Sequence, residues 1–127
     1  MTSIDPANLV DVPTVPEYMR AFLECREEMS EKHFAMLKAH YHAPGRTVTA
    51  GELARAVGYE NFNAANLQYG IYASHLCREL GRSPTFFIAV LATFTVGEQQ
   101  GDEFIRWTML PQVAEALEQL GWVKRGT

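Results

Sequence analysis

Basic residues and cysteines are scarce in this chain, and several signature motifs are missing from it. Its 127 residues carry 11 Lys and Arg against 15 Asp and Glu, a formal charge of −4. Non-specific grip on nucleic acid comes mostly from basic charge, so a generic polyanion binder is excluded and only a local patch is left open. Two cysteines, Cys25 and Cys77, with no C-x-x-C between or beside them, exclude a disulfide framework, a zinc ribbon and a thioredoxin-type redox pair. They read as buried thiols in a reducing compartment. There is no Walker loop, no G-x-G-x-x-G and no G-x-S-x-G. The longest uncharged stretch, Ser83 to Gly97, contains Pro84 and falls short of the roughly 18 residues a membrane helix needs. Met1 to Val15 has no Lys or Arg and no apolar core of signal-peptide length. The expectation is a soluble, cytoplasmic protein with no membrane partner.

What is there is a globular composition, 47 % hydrophobic and 20 % charged, in a chain of one domain's length. Residues 1–15, with Pro6 and Pro13, read as an extended arm ahead of a single domain over 16–127. Pro16 suits a first helical turn, and no further Pro or Gly follows until Pro44-Gly45. Tyr18, Phe22, Cys25, Met29, Phe34, Leu37 and Tyr41 form an apolar stripe with some drift, so one long helix is expected over 16–42. That stripe packs on the domain's own core or pairs across a two-fold in a homodimer.

A helix-turn-helix is expected over 49–81. Thr49-Ala-Gly-Glu52 fits a capping box, Leu53, Ala54 and Val57 face inward, and Gly58 ends the first helix. Asn61 or Asn63 caps the second, which runs to Leu80 before Gly81. Thr85–Val96 and Phe104–Met109, rich in β-branched and aromatic residues, predict a β-hairpin over 85–109. Pro111 opens a last helix over 111–121. The fold class expected is α+β, mainly α: winged-helix-like, with an added long N-terminal helix.

The second helix of the pair carries most of the chemistry. Leu67, Ile71, Ser74 and Cys77 make one inward stripe, and Tyr69, Ala73, Leu76 and Leu80 a second. Asn63, Asn66, Gln68, Tyr72, His75, Glu79 and Arg82 are left for solvent. Gly70, unfavourable in mid-helix, suggests close approach of another backbone. Asn and Gln near the start of a recognition helix suit adenine edges in the major groove. Residues 46–82 balance at +1, whereas residues 1–15 and 83–127 balance at −2 each and 16–45 at −1. Arg46, Arg55, Arg78 and Arg82 would then contact phosphate, with Tyr72 and His75 helping, and Asn63, Asn66, Gln68 and Tyr72 would select. The hairpin tip, Glu98, Asp102 and Glu103, is acidic and is not expected against phosphate.

Catalytic and metal sites are not expected. His40 and His42 point to different helical faces, and with His33 they do not supply the three or four convergent ligands zinc needs. Near a helix C-terminus they fit a dipole interaction. Cys77 lies on an apolar stripe, so pairing with His75 as a nucleophile is not expected.

The stretch Thr47-Val-Thr-Ala-Gly-Glu-Leu-Ala-Arg-Ala-Val-Gly-Tyr59, with Asn66-Leu-Gln-Tyr-Gly70 and Leu76-Cys-Arg-Glu-Leu-Gly81, resembles a module found ahead of the nuclease domain in some bacterial restriction-type HNH endonucleases. Trp107 to Pro111 and Ala116-Leu-Glu-Gln-Leu-Gly-Trp122 look like the same module's tail. The likeness spans roughly residues 46–123, and Asn-Leu-Gln-Tyr-Gly is its most specific part. It implies target recognition, including recognition of modified DNA. No nuclease segment follows and His40-Tyr-His42 lacks a second ligand cluster, so cleavage is not implied. The expectation is a non-catalytic, restriction-associated module of bacterial or phage origin, with no cofactor and duplex DNA as partner. The alternatives are an acidic protein-interaction module, defence or anti-defence, and a dimeric transcription regulator.

Overall fold

The computed structural model describes residues 8–96 and 105–124, together with the backbone of Ser3–Ile4. In chain order the elements are β1 (Ser3–Ile4), α1 (Val15–Glu24), α2 (Glu31–His42), β2 (Thr47–Thr49), α3 (Ala50–Val57), α4 (Phe62–Leu80), β3 (Ala92–Val96), β4 (Arg106–Met109) and α5 (Pro111–Gln119). The fold is α+β and mainly helical. Its antiparallel sheet runs in the order β1-β3-β4-β2, with Val48 and Phe94 flanking Trp107 on either side. No described helix is long and apolar enough to cross a membrane.

The helix expected over 16–42 is broken. α1 stops at Glu24, a short 3-10 turn covers Arg26–Glu28, and α2 starts afresh at Glu31. The cause is a second capping box. The Ser30 hydroxyl accepts from the His33 amide, and the Ser30 amide donates to His33 Nδ1, so an imidazole takes the place usually held by Glu. The drift in the stripe marks this break, and its residues pack on the chain's own core: Tyr18, Phe22, Cys25 and Leu37 are fully buried, and Tyr41 nearly so.

The first capping box forms as well, with Glu52 reaching the Thr49 amide and Thr49 Oγ1 accepting from the Glu52 amide. Gly58 ends α3 in the left-handed conformation, φ 82°, where a side chain would be strained. Asn61, rather than Asn63, caps α4, accepting from the Ala64 amide at 3.2 Å.

The strand expected from Thr85 begins only at Ala92. Phe87–Val90 forms a 3-10 turn that tucks Ile88, Ala89 and Val90 under α4 and leaves Phe86 and Phe87 outside. Aromatic and β-branched residues favour a half-buried surface, and here that surface is a turn rather than a ladder. The hairpin tip with Glu98, Asp102 and Glu103 lies outside the described residues. The arm is tied down: Asn8 Nδ2 donates to the Phe94 carbonyl at 3.1 Å, and the Phe94 amide donates back to Asn8 Oδ1 at 2.6 Å.

α2, α4 and β4 meet at His40, which has no exposure. Its Nε2 lies 2.9 Å from the Trp107 carbonyl and its Nδ1 2.9 Å from the Tyr69 hydroxyl. A carbonyl can only accept, so Nε2 carries the proton and Nδ1 accepts from Tyr69. Burial disfavours the charged ring and lowers its pKa from 6.5 to about 4. The ring of an unfolded chain takes up a proton near pH 6.5, while the folded ring resists until about 4. Between those values the unfolded state binds more protons, so this contribution is complete above pH 6.5 and is lost on descent to 4. The loss amounts to about 3 kcal/mol. His40→Gln keeps an acceptor and a donor but cannot titrate. Urea unfolding at a series of pH values is expected to show a visibly flatter slope for H40Q between neutrality and pH 4.

Candidate nucleic-acid interface

Three helical sides of α4 have three different fates. One packs inward: Ala65, Tyr69, Tyr72, Ala73, Leu76 and Leu80 are buried. This corrects the expected assignment of Tyr72 to solvent and of Leu67 and Ile71 to the core. Tyr72 has no exposure, stacking on His33 with centroids 5.4 Å apart, whereas Leu67 is 61 % exposed and Ile71 38 %. The spacing 65-69-72-76-80 follows one face of a helix closely, and Tyr72 falls on that face with Tyr69 and Leu76.

A second side is committed to neighbouring helices. His33 Nδ1 accepts from Ser30, so its Nε2 carries the proton and donates to Gln68 Oε1 at 3.1 Å. Gln68 is therefore a strut between α2 and α4 rather than a selective contact. His75 is half-buried, with Nε2 3.9 Å from Glu28. Arg78 pairs with both Glu28 and Glu79, which holds the Glu28 carboxyl below the usual range. Arg82 donates to the Asp11 and Leu80 carbonyls at 2.9 and 2.8 Å. Arg46 lies over the Tyr41 ring at 4.3 Å and 3.4 Å from Glu118. Of the expected phosphate contacts, Arg46, Arg78 and Arg82 thus have internal partners. A salt bridge of this exposed kind contributes little stability, but it sets where the cation is held.

The third side is open. Asn63, Asn66, Leu67 and Ile71 are exposed; Arg55 on α3 is exposed as well, and so is Arg106 on β4, though on the sheet face opposite the one from which Ile105 and Trp107 line the cavity. Arg106 was absent from the expected set; it sits in register with Thr49 and Thr95 on the central strand, which its place in a hydrophobic run conceals. The expected nine residues are therefore reduced to Arg55, Asn63 and Asn66 as outward, uncommitted groups.

Beside this open side is a half-open cavity of about 400 Å³. It lies between α4, the Phe86–Val90 segment and the hairpin, and Asn66 and Gly70 form its α4 wall. No backbone approaches Gly70: a Cβ placed there would meet no heavy atom within 4 Å. The close approach expected from this glycine is absent, and the glycine instead leaves the cavity wall flat.

No group of three or more His, Cys, Asp or Glu among the described residues is placed to hold a metal. Cys25 and Cys77 are free and buried, and burial pushes both thiols up to about 11, away from the reactive thiolate. No protein-family model matches this chain, and neither a curated protein nor a solved structure gives a match.

With open space over Gly70, a methyl group costs nothing sterically and relieves the helix of its most flexible residue. Gly70→Ala is expected to raise stability by up to about 1 kcal/mol in urea unfolding.

Proposed function

We propose that the chain is a non-catalytic module that recognises duplex DNA with the outward side of α4. The supporting observation is that Asn63 and Asn66 stand free near the start of this helix, and that Arg55 on the preceding helix is exposed as well. β2 leads into α3 and then α4, and β4 pairs back onto β2; this order supports a winged-helix reading in which the second helix would enter the major groove. Side-chain amides bond the adenine edge in two places, and Leu67 offers an apolar contact to a thymine methyl. The resemblance to the module of HNH endonucleases points the same way and extends the reading to modified DNA. Two free thiols fit a reducing, cytoplasmic setting.

This reader holds DNA by base edges more than by charge. With Arg55 as the outward, uncommitted cation, the slope of log K against log salt is expected near −1. Fluorescence anisotropy of labelled duplexes, plain and methylated, at about 50 mM salt tests the reading. Asn63→Ala and Asn66→Ala are each expected to cost about 1–3 kcal/mol on the preferred duplex. Arg78→Gln, which removes an internal ion pair, should leave affinity unchanged. If no duplex binds better than micromolar under these conditions, the proposal fails.

A second reading has its own support. Leu67, Ile71, Phe86 and Phe87 leave an exposed apolar stretch on an acidic chain, as surfaces for protein partners do. A protein that co-purifies stoichiometrically with the chain, in the absence of DNA binding, decides for this alternative.

A further inference from the structure

The cavity beside α4 has walls suited to one kind of occupant, and of its lining the DNA reading uses Asn66 alone. Five of its lining side chains are aromatic: Phe62, Phe86, Phe87, Phe94 and Trp107. None of its lining residues among those described is charged. A charged ligand would lose its hydration there with nothing to replace it. Among the described residues, the polar groups on the wall are the Asn66 amide, the Thr85 hydroxyl and the indole N–H of Trp107. That division, a broad apolar lining with a few orienting polar groups, is typical of small-molecule sites. The volume also discriminates. A dry apolar cavity of about 150 Å³ accepts benzene, so 400 Å³ accommodates two or three rings.

Shape narrows the class further. At Gly70 the α4 backbone is bare, with no heavy atom within 4 Å of a would-be Cβ, and this wall is flat. The opposite rim is Phe86, 54 % exposed, and Phe87, 49 % exposed. Flat rings stack or pack edge-on against such faces, which an alkyl chain does less well. An occupant would also take these two rings out of water, a favourable burial that the isolated chain lacks. We infer that the cavity between α4, Phe86–Phe87 and Trp107 binds an uncharged, flat aromatic molecule of two or three rings, oriented by the Asn66 amide. The inference stands whether or not the open side of α4 reads DNA.

The test uses the full chain and the uncharged fluorescent probe N-phenyl-naphthylamine. Its emission is expected to rise along a single saturable curve with a Kd on the order of 10–100 µM. Gly70→Leu fills the cavity from its flat wall and is expected to weaken binding about tenfold or more. Phe86→Ala alters only an exposed rim side chain and is expected to weaken it several-fold. This second variant carries the test if the first does not fold by circular dichroism. Naphthol should displace the probe, and n-decanol of similar hydrophobicity should not. Three results overturn the inference: no saturable binding by the parent chain, undiminished binding by the folded variants, or displacement by decanol as readily as by naphthol.

Discussion

His40 carries a proton on one ring nitrogen and accepts a hydrogen bond on the other, with no exposure to solvent. Because the Trp107 carbonyl fixes which nitrogen donates, the Tyr69 hydroxyl has one direction to point. Tyr69 then stacks on the Trp107 indole, with centroids 5.9 Å apart, and Phe94 lies on from there at 6.3 Å. A chain of contacts thus runs from α2 through α4 into the two central strands. Removing one partner would leave the others buried and unpaired, which costs more than the bond itself is worth. The rotation of α4 about its own axis is set here, and every statement about what the helix shows to solvent depends on that rotation.

Given that rotation, the polar residues of α4 are divided by position rather than by chemistry. On one flank Gln68, His75 and Arg78 meet α2 and the turn before it, where they brace the helix against His33 and Glu28, and Glu79 holds the Arg78 guanidinium from within α4. Asn66 and Gly70 run down the opposite flank, along the aromatic cavity. Asn63, Leu67 and Ile71 lie between the flanks on the outside. An amide-and-aliphatic strip of this kind suits selective contact and supplies little long-range attraction, in keeping with the acidic charge of the chain.

Much of the local architecture was legible in the sequence because it is locally determined. The Thr49–Glu52 box, the left-handed Gly58 and Gly81, and Pro111 at the start of α5 each act over a few residues. What was not legible depended on distant partners. Nothing local to Met29-Ser30 shows that His33 would complete a cap while bonding Gln68 on another helix. Phe86 to Leu91 has strand composition, but the Val90 carbonyl receives the Tyr18 hydroxyl from α1, and a turn results. The candidate site fared worse than the fold, since side-chain type says little about commitment. Arg46, Arg78 and Arg82 look like phosphate contacts until Glu118, Glu28 and Asp11 are found beside them.

Asn8 presents its amide to Phe94 as a neighbouring strand would present a peptide group, giving one bond and taking one. Beyond it, among the described residues, the two residues of β1 cover that margin of the sheet, at Thr95 and Val96. One side chain and a two-residue strand therefore stand guard over backbone that would otherwise template a stranger. Were the arm peeled away, the vacant ladder would lie open to the same tract of a sister molecule.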